Sequence, residues 1–64
     1  MKLNIGKNIK SFRKIAGLTQ EKLADKAGLT LRYFQHIESG VGIPAIPTLI
    51  KIAQALNKNI KDFF

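Results

Sequence analysis

The sequence has no cysteine and a single histidine, His36. Without cysteine, neither a disulfide nor a thiolate metal site is available to brace the chain, nothing ties it to an oxidising compartment, and one histidine argues against zinc. Acidic residues are equally scarce, four against eleven lysines and arginines in 64 residues, for a net charge of +7. No apolar run approaches the roughly 18 residues of a membrane span, and the residues after Met1 are polar and basic rather than a secretory apolar core. The expectation is a soluble, cytoplasmic protein that is neither membrane-bound nor dependent on a metal or other cofactor. The carboxylates fall on outward helical positions with no pocket-forming segment, so no catalytic residue is assigned and no enzyme is expected.

With 45% hydrophobic residues, the chain is too apolar to be simply disordered. A chain this short is one domain at most and buries only about 60% of the surface its unfolded form exposes, so its core is built largely from local contacts. The positive charge is concentrated at the start, where Lys2, Lys7, Lys10, Arg13 and Lys14 occur without an acid. A small, folded, strongly basic chain points to nucleic acid as partner, with an anionic membrane surface second. The second reading requires a cleaner amphipathic helix than any here.

Apolar spacing is helical almost throughout. Ile5, Ile9, Phe12 and Ala16 form one stripe of a helix over about residues 4–16, with Asn4 placed to cap it and Gly17 to end it. Thr19 caps a second helix over 20–27, with Leu23, Ala24 and Ala27 as its apolar face and Gly28 as its stop. Thr30 caps a third over 31–38, with Phe34 and Ile37 inward and Gly40 at its end. Both prolines lie between Val41 and Pro47, which reads as a loop, and Pro47 suits the first turn of a helix over 46–56. That helix carries Leu49, Ile50, Ile52, Ala53 and Leu56, and Asn57 takes its left-handed C-terminal position. Asn59 starts a last turn over 60–63 holding Ile60 and Phe63. No segment alternates with period two, so the fold class is all-α.

The stretch Gln20 to Glu38 places small and special residues where two crossing helices need them. Ala24 permits close approach, Gly28 supplies the turn, Leu29 plugs the corner, and Phe34 and Ile37 lock the third helix down. Two helices joined this way form a helix-turn-helix. The wider pattern comprises Gly17, Leu18, Thr19 and Gln20, then Leu23 and Ala24, then Ala27, Gly28 and Leu29. It continues with Ile37, Glu38, Ser39 and Gly40, then Pro44, Leu49, Ile52, Ala53 and Leu56. Over about residues 5–63 this closely resembles the Cro/cI-type, XRE-like helix-turn-helix family of bacterial and phage regulators. The resemblance implies a compact five-helix, lambda-repressor-like DNA-binding domain that works as a homodimer on a palindromic operator. Members include repressors, restriction-modification controllers and antitoxins, so the rival reading is a module that neutralises a toxin-like protein partner.

A helical wheel at about 100° per residue turns Arg32 and His36 away from Phe34 and Ile37, with Gln35 flanking them and Tyr33 on the border. Leu31, at the helix start, projects past its end. Similarity to the family places Leu31, Arg32 and His36 at base-reading positions. Arg32 suits guanine O6 and N7, Gln35 adenine N6 and N7, and Leu31 a thymine methyl. His36 suits a phosphate as well as a base. By resemblance Gln20 is a phosphate-binding glutamine; the hydroxyls of Thr19 and Ser39, the amides around Gly40, and Lys10 and Lys14 are the further expected phosphate contacts. Arg13 and Glu38 align with a partly buried salt bridge of the family.

Two departures stand out: the apolar Val41, Gly42 and Ile43 occupy a loop commonly polar in the family, and Ala45 replaces a serine cap. Val41, Ile43 and Ile46 read first as cover for the core and second as a protein interface. Of the terminal pair, one of Phe63 and Phe64 completes the core and the other is left for a partner. Ile46, Phe63 and Phe64 are therefore the expected dimer surface.

Overall fold

The computed structural model describes residues 4–41 and 43–64. The charge of Lys2 and the loop position of Gly42 lie outside the described residues. Four α-helices follow one another: α1 (Ile5–Ile15), α2 (Gln20–Ala27), α3 (Leu31–Glu38) and α4 (Ile46–Leu56). The last turn, Ile60–Phe63, is a 3-10 helix. Among the described residues there is no strand.

Local chemistry sets most of the boundaries. The hydroxyl oxygens of Thr19 and Thr30 accept hydrogen bonds from the Lys22 and Tyr33 amides, each at 3.1 Å, so α2 and α3 both begin with a side-chain cap. Gly28 ends α2 at φ 71°, a left-handed conformation that costs a glycine nothing. The Leu29 amide then reaches back to the Ala24 carbonyl at 2.9 Å, and the chain turns directly into α3. Asn57 closes α4 at φ 57°, with the Lys58 amide on the Ala53 carbonyl at 2.8 Å. In the last turn the Asp62 carboxylate accepts from the Asn59 amide at 3.0 Å.

Helix α1 differs from its expected span at both ends. Asn4 holds the N-cap position at ψ 46°, without the extended backbone that would fold its side chain over the first amides, and its side chain makes no capping bond. Ala16 is exposed at the other end, so the apolar stripe stops at the half-buried Phe12. In α4, Ile50 is also turned outward, at 41% exposure, because Leu49, Ile52, Ala53 and Leu56 already occupy the inward arc.

All five elements share one core. Phe34, Phe63, Ile9, Leu23, Leu49 and Ile52 are its largest fully buried side chains. Ala24 is buried at the crossing of α2 with its neighbours, where a larger side chain would force the helices apart. Gly6 serves a second crossing. A Cβ there would overlap the Ile37 carbonyl oxygen and meet the Glu38 carbonyl oxygen at 3.1 Å, so α1 lies directly on the C-terminal end of α3. The last turn is tied to α1 by the Asn8 amide, which donates to the Phe63 carbonyl at 2.7 Å. The Phe12 and Phe63 rings sit 5.9 Å apart, and the Lys58 ammonium lies 5.2 Å from the Phe12 ring centre.

The loop before α4 corrects one expectation. Val41, Ile43 and Ile46 are exposed by 63%, 67% and 49%, so they do not cover the core. Pro44 is the buried residue of this loop, and extended backbone before a proline sends adjacent side chains to opposite sides, which turns Ile43 outward.

Candidate nucleic-acid interface

Helix α3 has two opposed faces. Phe34 and Ile37 anchor it in the core, while Leu31, Arg32, Gln35 and His36 are all exposed. The helix is short, capped at its start by Thr30 and packed at its C-terminal end against Gly6 of α1. Tyr33 is 39% exposed at the border. With His36, Ile37, Val41, Ile43 and Pro44 it lines a shallow recess of about 190 Å³ beside the end of the helix.

Beneath the exposed face lies a chain of polar side chains from three helices. The Arg13 guanidinium, in α1, donates through Nε to Glu38 Oε2 at 2.7 Å and through Nη2 to Oε1 at 3.3 Å. Its Nη1 donates to the Leu18 carbonyl at 2.8 Å. The two charged side chains are only 10% and 3% exposed. Such a pair is costly to break on one side, because the remaining charge stays buried without its partner. Gln20, half-buried at the start of α2, donates from Nε2 to Glu38 Oε1 at 3.0 Å. Gln35 in turn donates from Nε2 to Gln20 Oε1 at 3.3 Å. The ion pair thus reaches the outer face of α3 through two amides. Among the described residues no buried side-chain nitrogen or oxygen lacks a partner.

The residues expected to contact phosphate are placed less uniformly. Thr19 is exposed at the start of α2, with its hydroxyl oxygen already accepting from Lys22. The Ser39 hydroxyl donates its one proton to the His36 carbonyl at 2.6 Å, so a bond to a phosphate oxygen requires that proton to turn away from the helix. At Gly40 the amide donates to the Ile37 carbonyl at 3.2 Å, which closes α3. Lys10 and Lys14 are exposed on the same strip of α1, while Arg13 beside them is turned inward.

The expected dimer surface also changes. Phe63 is fully buried in its own core, because the last turn folds it against Phe12, and it presents nothing to a partner. Ile46 and Phe64 remain exposed, at 49% and 58%, and the outward Ile50 joins them as an apolar side chain that the apolar spacing of α4 assigns to the core. The spacing of α2 and α3 likewise contains no sign of the link between Gln20 and Gln35, which depends on how the two helices cross.

The helix-turn-helix family model matches residues 9–63. The phage CTXphi transcriptional repressor RstR of Vibrio cholerae is 35% identical over 60 residues, covering 94% of this chain and 54% of RstR. The chain spans about half the length of the first curated relatives it matches. The restriction-modification controller protein C.AhdI from Aeromonas hydrophila superposes with a TM-score of 0.91 at 29% identity, covering 97% of this chain and 94% of the controller. SinR of Bacillus subtilis, a master regulator of biofilm formation solved in complex with DNA, gives 0.88 at 33% identity over 92% of this chain and 95% of the SinR chain. With two capped helices crossing at Ala24 and an exposed third-helix face, the chain belongs to the Cro/cI-type helix-turn-helix family of DNA-binding transcriptional regulators.

Proposed function

We propose that this chain is a sequence-specific regulator that binds double-stranded DNA, with residues 1–64 acting as one lambda-repressor-like domain whose α3 enters the major groove. The observation that carries this reading is the arrangement of α3: Phe34 and Ile37 are fixed in the core while Leu31, Arg32, Gln35 and His36 are presented together on the opposite face. An α-helix fits the major groove, where each base pair displays its own pattern of donors and acceptors. Arg32 has the strongest specificity chemistry of the four, a planar fork that bonds guanine O6 and N7 together. Thr19, Gln20, Lys10 and Lys14 supply contacts to the phosphate backbone, which set position rather than sequence, and Ser39 adds one only by turning its hydroxyl away from the His36 carbonyl.

One short helix reads too few base pairs to mark a site in a genome. A two-fold dimer doubles the information and spaces two reading helices by about 34 Å, one turn of DNA. Ile46, Ile50 and Phe64, among the exposed apolar side chains, lie within or after α4 and supply that contact. Selection of bound duplexes from a random DNA pool tests the proposal directly. The expected product is an enriched pseudo-palindrome, and recovery of no preferred sequence would overturn the reading.

A further inference from the structure

We infer that Gln20 is a positioning residue for base recognition: through the buried Arg13–Glu38 pair it dictates which way the Gln35 amide faces, and so selects adenine at the base that Gln35 reads. The inference rests on the DNA-binding reading above and goes beyond it in giving Gln20 a part in specificity rather than in backbone contact alone.

The argument follows the direction of the hydrogen bonds. An ionised carboxylate only accepts. Glu38, held by the Arg13 guanidinium, therefore requires an N–H from Gln20, and that bond is present at 3.0 Å. Turning its Nε2 to Glu38 leaves Gln20 its Oε1 to face Gln35. Gln35 must then offer an N–H in return, as it does at 3.3 Å. One N–H of Gln35 is consumed inward, and its remaining N–H and its carbonyl oxygen are left for the groove. A donor beside an acceptor is the complement of adenine N7 and N6. Were the polarity reversed, Gln35 would turn its oxygen inward and present two N–H groups, which suit the two acceptors of guanine instead. The buried charge on Glu38 thus acts on a base contact through two amides without touching DNA.

Gln20→Lys separates this role from phosphate binding. A lysine still donates to Glu38 and carries a charge for the backbone, but it gives Gln35 a donor where the wild type gives an acceptor. Gln35→Ala first identifies the base position concerned, by removing its preference in selection from a random duplex pool. In the wild type that position should be adenine, favoured by roughly 5- to 150-fold over other bases. Gln20→Lys should lower the preference there by about fivefold or more, with guanine gaining, while the rest of the consensus and the unfolding midpoint are retained. In the double variant with Gln35→Ala, Gln20→Lys should have no further effect at that base. An unchanged adenine preference in a folded, DNA-binding Gln20→Lys protein would overturn the inference and leave the regulator reading standing. A base other than adenine at the Gln35 position would overturn it equally. A wild-type protein that enriches no sequence would overturn both.

Discussion

At the scale of single residues, exposure separates the groups proposed to read DNA from those that hold α3 in place. Arg32 is exposed on α3 and Arg13 is buried beneath it, although both are arginines on short helices. Arg32→Ala should relax the preference at one or two base positions and cost roughly 1–3 kcal/mol on the preferred duplex, with stability unchanged. Measured affinities for the selected duplex and for single-base variants of it provide the check. Arg13→Met should instead lower stability by about 3–5 kcal/mol, because it leaves Glu38 charged and buried without its ion-pair partner. At roughly 0.05–0.15 kcal/mol per residue, a chain of this length has about 3–10 kcal/mol in all, so this loss is a large share of it. Urea unfolding should therefore find Arg13→Met largely unfolded at a denaturant concentration that leaves Arg32→Ala native.

At the scale of elements, the design depends on close crossings of short helices. Gly6 is the clearest case, since glycine within a helix is locally unfavourable by about 1 kcal/mol relative to alanine. Gly6→Ala gains that propensity but sets a methyl group against the Ile37 carbonyl oxygen, a backbone atom that moves only if α3 moves. The clash outweighs the gain. Gly6→Ala should destabilise by roughly 1–3 kcal/mol, as overpacking does, and should weaken DNA binding by shifting α3. Thermal unfolding together with binding to the selected duplex measures both effects. A higher midpoint with unchanged binding would show that α1 and α3 separate freely. The α2–α3 turn is legible in the sequence because Thr19, Gly28 and Thr30 each act on their own few neighbours. The crossing at Gly6 is not, because its partner atoms lie some thirty residues away and belong to the backbone.

At the scale of the whole molecule, charge and surface govern function. A net charge of +7 on 64 residues implies binding that depends on counterion release. The slope of log affinity against log salt should be about −0.9 for each phosphate neutralised. Lys10→Gln and Lys14→Gln should each reduce the slope by about one such contact while leaving the selected consensus intact, as read by titration over a range of salt concentrations. The proposed dimer contact uses Ile46, Ile50 and Phe64, exposed apolar side chains within or after α4. Ile50→Lys should preserve the fold, since this side chain is already turned to solvent, and should convert protection of a full palindrome into weak occupation of half-sites. Sedimentation with the duplex and footprinting report the change.

The amino-acid sequence by itself determined the all-α class, the ends of most helices and the two faces of α3. Those features arise from signals that act within one or two turns of chain: caps at Thr19 and Thr30, stops at Gly28 and Asn57, and apolar residues recurring every three or four positions. The family pattern extended this reading to Arg13 and Glu38, which the structure joins at 2.7 Å. Only the tertiary structure decided that Phe63 is buried while Phe64 is exposed, and that Val41 and Ile43 face outward. It also decided that Gly40 spends its amide on α3 and that Gln20 joins Glu38 to Gln35. Phe63 and Phe64 are chemically the same, and either could have filled the core. The choice belongs to the last turn, held to α1 by the Asn8–Phe63 bond across 55 residues of chain. Local periodicity states which side chains are apolar and where helices begin. The Gln20–Gln35 link rests on Glu38 of α3, held by the buried Arg13 of α1, and only the packing of all three helices supplies it.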